Sequence, residues 1–382
     1  MSTTNRGDSQ LMPDIKVLVA DDSAVIRHIL CDYINKEPGM TVVGRAKNGQ
    51  EVLELIPKLR PDVVTLDIQM PGLDGLSALD AIMERFPLPV VMVSTLTQKG
   101  ASISFEALER GAFDYVAKPE FGVQDEVQFR TELIQKIRLA AGADIRRILQ
   151  IRQAHRRRVA ALSASGPVIK PKTFDAPGAL SRAVIAIGIS TGGPPALARL
   201  FSELAPPMPP ILVVQHMPPN FTKALSWRLN SLSRLEIKEA DHGDFLQPNR
   251  VYIAPGGRHL EVTRSAGAAK VVIRDGDPVS GHKPSVDVMM ISAARVFGPR
   301  ILGVIMTGMG RDGVEGCRVI REAGGYVLGQ DEASSDVYGM NKVAFTQGHV
   351  NRQFHLDEAA AVITAYVREQ WLGKERQVVA NC

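Results

Sequence analysis

The chain has 382 residues, of which 45% are hydrophobic and 23% charged, and its formal net charge is +4. This composition excludes collagen, coiled coil and wholesale disorder, and the length predicts two or more domains. No apolar run approaches the ~18 residues that cross a bilayer, and the polar N-terminus lacks a secretory signal, so we expect no membrane insertion. Three widely spaced cysteines, without metal-ligand spacing, favour a cytoplasmic protein.

After residues 1–13, which we expect to be disordered, Val- and Ile-rich runs alternate with amphipathic stretches through residues 14–139. Helical patterns such as 24–34 and 75–86 separate the runs. This alternation predicts a parallel sheet with helices on both faces, in which functional side chains collect at the carboxyl ends of the strands. The predicted strands are 15–20, 41–46, 62–67, 89–94 and 113–117.

Polar side chains occur at four of these predicted strand ends. Asp21 and Asp22 follow the first strand, and Asp67 ends the third. Ser94 ends the fourth, and Lys118 follows the fifth. Converging carboxylates repel each other unless a hard cation such as Mg²⁺ lies among them. With a lysine and a hydroxyl nearby, such a cation can stabilise phosphoryl transfer onto a carboxylate. Asp67, which stands alone on the central strand, is the predicted acceptor.

Residues 140–182 form a basic segment, with nine basic and two acidic residues and a net charge of +7. Its second half is rich in Ser, Pro and Gly, so we interpret it as a linker between two folded blocks. Such a charge can attract nucleic acid or an acidic protein surface. A solvated linker without any partner explains the composition equally well.

Residues 183–375 resume the alternation and again predict an α/β fold with a largely parallel sheet. Three predicted strand ends carry candidate functional residues: Ser190 in GISTGG, His216 in VVQHMPP and Asp312 in MTGMGRDG. The predicted strands are 183–189, 211–215, 250–254, 270–274, 300–307 and 326–330, and the predicted helices are 194–204, 221–230, 286–297 and 312–323.

These three residues have the chemistry of a serine hydrolase. A serine at a glycine-flanked turn from strand to helix can be an exposed nucleophile, because the following amides and the helix N-terminus stabilise developing negative charge. His216 can take a serine proton near neutral pH. A buried Asp312 could hold the imidazole in one tautomer. The alternative is purely structural, with Ser190 or Thr191 and Asp312 capping the helices that follow them.

Two other functions fit parts of this block. Gly308, Gly310 and Gly313 spell G-x-G-x-x-G between a strand and a helix, which is typical of dinucleotide binding. Asp312 lies inside that loop, where at ~4 Å and an effective dielectric of 20 it would repel a pyrophosphate charge by about 4 kcal/mol. The α/β-hydrolase fold shares G-x-S-x-G, but its triad runs Ser, acid, His along the chain. The candidates here run Ser, His, Asp.

Residues 14–139 resemble the receiver domain of two-component response regulators. The resemblance implies a phospho-acceptor at Asp67 and a Mg²⁺ site formed by Asp67 with the acidic pair. The acidic pair is Asp21 and Asp22. The resemblance also implies that Ser94 and Tyr115 are switch residues and that Lys118 is the phosphate-binding lysine.

Nearly the whole chain is similar to the family of chemotaxis protein-glutamate methylesterases/protein-glutamine glutaminases. The resemblance implies a serine hydrolase that removes methyl groups from glutamyl methyl esters of chemoreceptors, releasing methanol, and deamidates receptor glutamines. This activity would serve adaptation in bacterial chemotaxis or a related sensory pathway. The motifs that carry the resemblance are GISTGG, QHMPPNFTKALSWRL, IAPGGRH, HKPSVDVMM, TGMGRDG and VYGMNK.

Residue roles follow from the same resemblance. Ser190 would be the nucleophile, His216 the general base and then acid, and Asp312 its orienting carboxylate. The backbone N–H of Met309 would stabilise the oxyanion, and Thr191 would lie in the cleft. One residue departs from the family: Asn341 stands where a proline is usual, which leaves the shape of the loop near the cleft open.

The expected fold is two doubly wound, mostly parallel-sheet domains, a flavodoxin-like receiver and a Rossmann-like methylesterase domain. The implied cofactor is Mg²⁺ in the receiver, with none for the esterase chemistry. Chemoreceptors would be the substrate and a chemotaxis histidine kinase the phospho-donor. We expect a monomer that binds no nucleic acid, because the basic excess is confined to the linker. Phosphorylation of Asp67 is expected to uncover Ser190.

Overall fold

The computed structural model describes residues 14–94, 97–118, 123–153 and 178–373. The chain divides into two units, Met1–Ser94 with Arg110–Ile145, and Thr95–Glu109 with Arg146–Cys382. The N-terminus that we expect to be disordered, and residues 154–177 of the predicted linker, lie outside the described residues.

The first unit is built on a five-stranded sheet with the order β2-β1-β3-β4-β5. Every neighbouring pair is parallel. All residues of β3 and β4 are buried, as is typical of strands covered by helices on both faces. The strands are β1 Ile15–Ala20, β2 Met40–Ala46, β3 Val63–Asp67, β4 Val90–Ser94 and β5 Asp114–Ala117, and the helices are α1 Ala24–Asn35, α2 Gly49–Leu59, α3 Gly75–Arg85 and α5 Val123–Ala141. The helix between β4 and β5, α4 Gln98–Arg110, belongs to the second unit except for Arg110.

The second unit contains a seven-stranded sheet and a separate antiparallel hairpin, β10-β11. Its strands are β6 Val184–Ile189, β7 Ile211–Gln215, β8 Glu236–Glu239, β9 Arg250–Ile253, β10 His259–Ser265, β11 Ala268–Arg274, β12 Ile301–Ile305, β13 Tyr326–Gln330 and β14 Arg352–Phe354. Its helices are α6 (145–153), α7 Gly193–Glu203, α8 Phe221–Leu232, α9 Val286–Phe297, α10 Val314–Glu322, α11 Met340–Thr346 and α12 Ala359–Val367.

The order of the large sheet, β14-β13-β12-β6-β7-β9-β8, creates the crevice that holds the candidate site. All its neighbouring strands are parallel. The chain leaves β6 for β7 on one side, and β12 pairs with β6 on the other. A sheet of this kind opens a crevice at the carboxyl ends of its strands where the direction of winding reverses. The loops after β12, β6 and β7 meet at that point.

The predicted α/β class with mostly parallel sheets is confirmed. Residues 270–274, predicted as a strand, belong to the hairpin and not to the large sheet. Strands β8, β10 and β14 were not predicted: β8 has the polar sequence EIKE, β10 ends in the exposed polar residues TRS, and β14 is only three residues long. No helix within the four described segments is long and apolar enough to span a membrane.

The start of the predicted linker is ordered structure. Residues 145–153 form α6, and the guanidinium of Arg152 is buried in an ion pair with Asp336, 2.7 Å away. Both residues belong to the second unit. This part of the basic segment is therefore anchored by its charge, and the interpretation as a purely solvated linker is wrong for these residues.

Candidate active site

Ser190 lies directly after β6, at the turn that leads from this strand into α7. Its backbone N–H donates to Thr307 O at 3.0 Å, and its carbonyl accepts from Gly193 N at 2.8 Å. Gly192 has a φ of +79°, which favours glycine, and it is the N-cap of α7 without a side-chain cap bond. Neither Ser190 nor Thr191 therefore caps α7 through its side chain. Ser190 itself is half-buried, at the carboxyl end of β6.

His216 follows β7, the strand next to β6. Its backbone N–H donates to Ile189 O at 3.3 Å, which holds the start of this loop beside Ser190. The Gln215 side chain strengthens this link, because its Nε2 donates to Ser190 O at 3.0 Å and to His216 O at 3.2 Å. Hydrogen bonds to the backbone therefore hold the loops after β6 and β7 together at one edge of the sheet, as predicted.

Asp312 completes the pair that orients the imidazole. His216 Nε2 lies 2.8 Å from Asp312 Oδ2, and Nδ1 is buried without a hydrogen-bond partner among the described residues. Nδ1 is thus the nitrogen available as a base. Within the described chain, no hydrogen bond joins Ser190 Oγ to this ring, and such bonds often tighten only when substrate binds.

The carboxylate of Asp312 is fully buried, and both of its oxygens accept hydrogen bonds. Oδ2 also accepts from Val286 N at 2.7 Å, while Oδ1 accepts from Ser285 Oγ at 2.7 Å and Asp287 N at 3.1 Å. These amides open α9, whose N-terminus favours negative charge. Burial alone would raise the pKa of Asp312, but the hydrogen bonds and charge of His216, with the other donors, hold it below its usual value. Asp312 is therefore an ionised carboxylate that orients the ring and caps α9, not α10.

The loop after β12 passes directly against Ser190. A Cβ on Gly308 would lie 2.7 Å from Ser190 Cβ, so only glycine fits there. Gly308 N donates to Val337 O at 3.0 Å, whereas the next amide, of Met309, donates no hydrogen bond among the described residues. The amide of Thr191 is also unused within the described chain. Two N–H groups beside Ser190 therefore have no hydrogen-bond acceptor among the described residues.

Two glycines of this loop, Gly308 and Gly313, are required by close packing. A Cβ on Gly313 would lie 2.6 Å from Val286 Cγ1. The Gly308 amide is already used, and the Asp312 carboxylate fills the loop. The geometry thus gives no support to dinucleotide binding.

Asn341, the departure from the family pattern, is buried at the start of α11. Its Nδ2 donates to Gln330 O at 2.9 Å and to Ser335 Oγ at 2.8 Å. The side-chain amide thereby joins the end of β13 to the loop that follows it. A proline at this position has no side-chain N–H and could not donate these hydrogen bonds. Val337, which accepts from Gly308 N, lies two residues beyond Ser335 on the same loop.

In the first unit, the predicted acidic cluster is assembled. Ligand atoms of Asp21, Asp22 and Asp67 all lie within 4.8 Å of one another. Lys118 Nζ lies 2.8 Å from Asp21 Oδ2 and 2.9 Å from Asp67 Oδ2. Burial raises the pKa of Asp67, although the charge of Lys118 opposes the shift. The single positive charge of Lys118 does not balance the negative charges of three carboxylates. Their oxygens are ligands suited to Mg²⁺.

The remaining predicted switch residues surround this cluster. Ser94 is buried at the end of β4, and its carbonyl accepts from Lys118 N at 2.6 Å. Tyr115 is buried on β5, and burial raises the pKa of its phenol. Lys136 Nζ donates to Tyr115 O and lies 4.9 Å from the centre of its ring. The ring therefore points into the protein in this structure.

Sequence reasoning gave no role to His282, Ser285 and Asp287, although they lie in or beside the quoted motif HKPSVDVMM. Ser285 and the Asp287 amide bind Asp312, and His282 stacks on His216. Burial, together with the nearby charge of Asp312, raises the pKa of Asp287 to about 6. The run of polar residues just before a predicted helix was the available signal.

The fold and these contacts define a receiver-type α/β unit in the same chain as an α/β unit with a serine, histidine and aspartate at adjacent strand ends. Residues 17–128 match the family described as response regulator receiver domain, and residues 185–363 match CheB methylesterase. The chain belongs to the family of protein-glutamate methylesterases/protein-glutamine glutaminases. The comparisons support neither the dinucleotide-binding nor the α/β-hydrolase alternative.

Individual relatives agree over almost the full length. A protein-glutamate methylesterase/protein-glutamine glutaminase of Pyrococcus horikoshii is 42% identical over 355 residues, covering 92% of this chain and 94% of the relative. One of Paraburkholderia xenovorans is 43% identical, covering 93% and 97%. Among solved structures, the Thermotoga maritima CheB methylesterase catalytic domain is 36% identical and covers 47% of this chain and 96% of its own, with a TM-score of 0.46.

Proposed function

We propose that this chain is a phosphorylation-activated serine hydrolase. It removes methyl groups from glutamyl methyl esters of chemoreceptors, releasing methanol, and converts certain receptor glutamines to glutamate. The observation that carries the proposal is the 2.8 Å contact between the buried Asp312 carboxylate and Nε2 of His216, which lies in the loop after β7, the strand that neighbours β6 and the half-buried Ser190. Family membership supports the choice of substrate.

The first half of the reaction forms an acyl-enzyme. Ser190 Oγ attacks the ester carbonyl carbon while His216 Nδ1 takes the hydroxyl proton. The imidazolium that results donates Nε2–H to Asp312 and is stabilised by its charge. The free amides of Met309 and Thr191 are placed to stabilise the oxyanion, a contribution of about 3–4 kcal/mol per donor in such sites. When the C–O bond breaks, His216 returns the proton to the leaving methoxide, which departs as methanol.

The second half uses the same residues with water as the nucleophile. His216 Nδ1 takes a proton from water as its oxygen attacks the acyl carbon, and then returns the proton to Ser190 Oγ. The product is a glutamate carboxylate. For a glutamine substrate only the leaving group differs, since His216 protonates the nitrogen and ammonia departs. One site therefore serves both reactions.

The acidic cluster of Asp21, Asp22 and Asp67 regulates the hydrolase by accepting a phosphoryl group. A histidine kinase transfers its phosphoryl group to Asp67, with a P–N bond broken and a P–O bond formed. Asp21, Asp22 and Asp67 would hold Mg²⁺, which supplies positive charge to offset the phosphoryl oxygens. Burial alone would lower the pKa of Lys118, but Asp67 and Asp21 raise it, so the lysine is charged and able to bind the phosphoryl group.

Activation requires phosphorylation to favour an open, accessible Ser190. Inverting a 1:99 ratio of open to closed enzyme needs about 5.5 kcal/mol of preference for the open state. We further propose that the enzyme acts as a monomer in the cytoplasm, where the kinase has access to ATP. Sedimentation of the full chain that gave a dimer mass would contradict the monomer.

The direct test is methanol release from methylated receptor membranes by the full-length chain with a phosphorylating kinase. Ser190→Ala should lower the rate about 10⁴-fold or more, as expected for a triad nucleophile. Ser202→Ala is the matched control, because that serine lies on α7 and its hydroxyl donates to Arg199 O, within the same helix. Asp67→Asn should abolish the response to the kinase and leave basal activity. Equal rates for wild type and Ser190→Ala would refute the proposal.

A further inference from the structure

A second histidine lies against the proposed catalytic imidazole. His282, in the segment between β11 and α9, stacks on His216 with ring centroids 3.7 Å apart and an angle of 13° between the planes. This is face-to-face contact over the whole ring rather than an edge contact. The reaction described above assigns His282 no role.

The hydrogen bonding of His282 fixes which nitrogen carries its proton. His282 Nδ1 donates to Ser280 O at 2.8 Å, which ties the ring to its own turn. Burial, and after it the positive charge of His216, lowers the pKa of His282 to about 4, although the charge of Asp312 opposes the shift. Lys283, the neighbouring cation, is paired with Asp275 at 2.9 Å. The ring of His282 is therefore neutral near pH 7.

A neutral aromatic ring under His216 has two physical consequences. It removes the space into which the His216 ring could rotate away from Asp312. It also presents a π-face to the imidazolium that forms during catalysis, and a cation over an aromatic face is attracted by the electron density of the ring. The stabilisation is absent while His216 is neutral, so it acts on the transition state more than on the ground state.

A shared metal ion is the competing explanation, because ligand atoms of His216, His282 and Asp312 lie within 4.8 Å of one another. The stacking argues against it. Nearly parallel rings direct their in-plane lone pairs side by side and not toward one point. The Asp312 oxygens are also occupied by donors from Ser285 and the start of α9.

We propose that His282 is a positioning residue, which holds the His216 ring with Nε2 on Asp312 and Nδ1 free for Ser190, and stabilises the imidazolium by stacking. The inference rests on the proposed function only for the identity of the substrate. The positioning itself concerns Ser190 reactivity in any acyl transfer at this site.

The test compares His282→Ala, His282→Phe and the control His242→Ala in the full-length chain, with thermal denaturation to verify folding. His242 is exposed, and its Nδ1 lies 3.2 Å from Ile273 O. In methanol release, His282→Ala should lower kcat about tenfold to thirtyfold, which corresponds to about 1.4–2 kcal/mol, and change KM less than about threefold. His282→Phe, which keeps a flat ring, should recover most of the loss.

Two readouts do not depend on the receptor substrate. The rate of covalent labelling of Ser190 by a fluorophosphonate should fall in His282→Ala and recover in His282→Phe. The NMR signal of the His216 Nε2–H bound to Asp312 should broaden in His282→Ala only. Unchanged labelling and an unchanged signal in a folded His282→Ala would overturn the inference, as would a phenylalanine variant no better than alanine. Normal labelling of wild type without methanol release would instead refute the proposed substrate.

Discussion

The charge of Asp312 is the feature whose removal gives the sharpest quantitative test. Asp312→Asn keeps the size of the side chain and one of its two oxygens. The amide will keep its oxygen at the Oδ2 position, where His216 and Val286 N both donate. Its NH₂ then faces Ser285, whose hydroxyl can turn to accept, and the amide of Asp287, which is left without an acceptor. The tautomer of His216 is thereby preserved while its ionic partner is lost.

Two magnitudes follow from this geometry. With Nε2 and Oδ2 in contact, the charge centres of the imidazolium and carboxylate lie roughly 4 Å apart, and at an effective dielectric of 20 their attraction is about 4 kcal/mol. That loss in the transition state corresponds to a fall of about three orders of magnitude in kcat. One buried N–H without a partner costs about 1–3 kcal/mol of unfolding free energy. The variant should fold, with a lower melting temperature.

The assay is single-turnover methanol release, with urea denaturation of the same samples. Asp287→Asn is the matched control, because that buried carboxylate accepts from Gly316 N at 2.7 Å and its side chain makes no described hydrogen bond to His216. It should retain near wild-type kcat. A folded Asp312→Asn with kcat within tenfold of wild type would refute the role of the carboxylate. An equal loss in Asp287→Asn would show that general disturbance of this region, and not the charge, explains the effect.

Further predictions concern the loop beside the nucleophile and the buried acid behind it. Gly308→Ala places a Cβ 2.7 Å from Ser190 Cβ and should lower the rate of methanol release more than the unfolding free energy. Gly178→Ala meets nothing within 4 Å and should change neither the rate nor the unfolding free energy measured by urea denaturation. Because burial raises the pKa of Asp287 to about 6 from 3.8, its ionisation destabilises the fold above that pH and not below about pH 4. Asp287→Asn should therefore raise the unfolding free energy by up to about 3 kcal/mol at pH 8 and by little at pH 4, measured by urea denaturation. An equal gain at both values would contradict this reasoning.

Much of the site was predictable from local sequence because its residues belong to strand ends. A buried apolar run followed by a polar residue marks the carboxyl end of a parallel strand, and this placed Asp67 at the end of β3 and Ser190 after β6. Glycines identified the turns, since Gly192 with its positive φ and the tightly packed Gly308 leave no room for a side chain. These signals depend only on neighbours within a few residues.

The contacts that decide the chemistry were not predictable in this way. His216 and Asp312 are 96 residues apart, and their 2.8 Å contact requires that β12 and β7 flank β6 in the sheet. Periodicity identifies strands but does not encode their lateral order. Nor does it determine that Nε2 rather than Nδ1 faces Asp312, or that His282 covers the ring.

The sequence alone thus determined the element types, the strand-end location of each reactive group and the family motifs. Only the tertiary structure decided which groups touch, through which atoms, and with what protonation. The physical reason is that apolar patterning is a local property of the chain, whereas hydrogen bonding and burial at a site depend on side chains contributed by segments that only the folded sheet brings together.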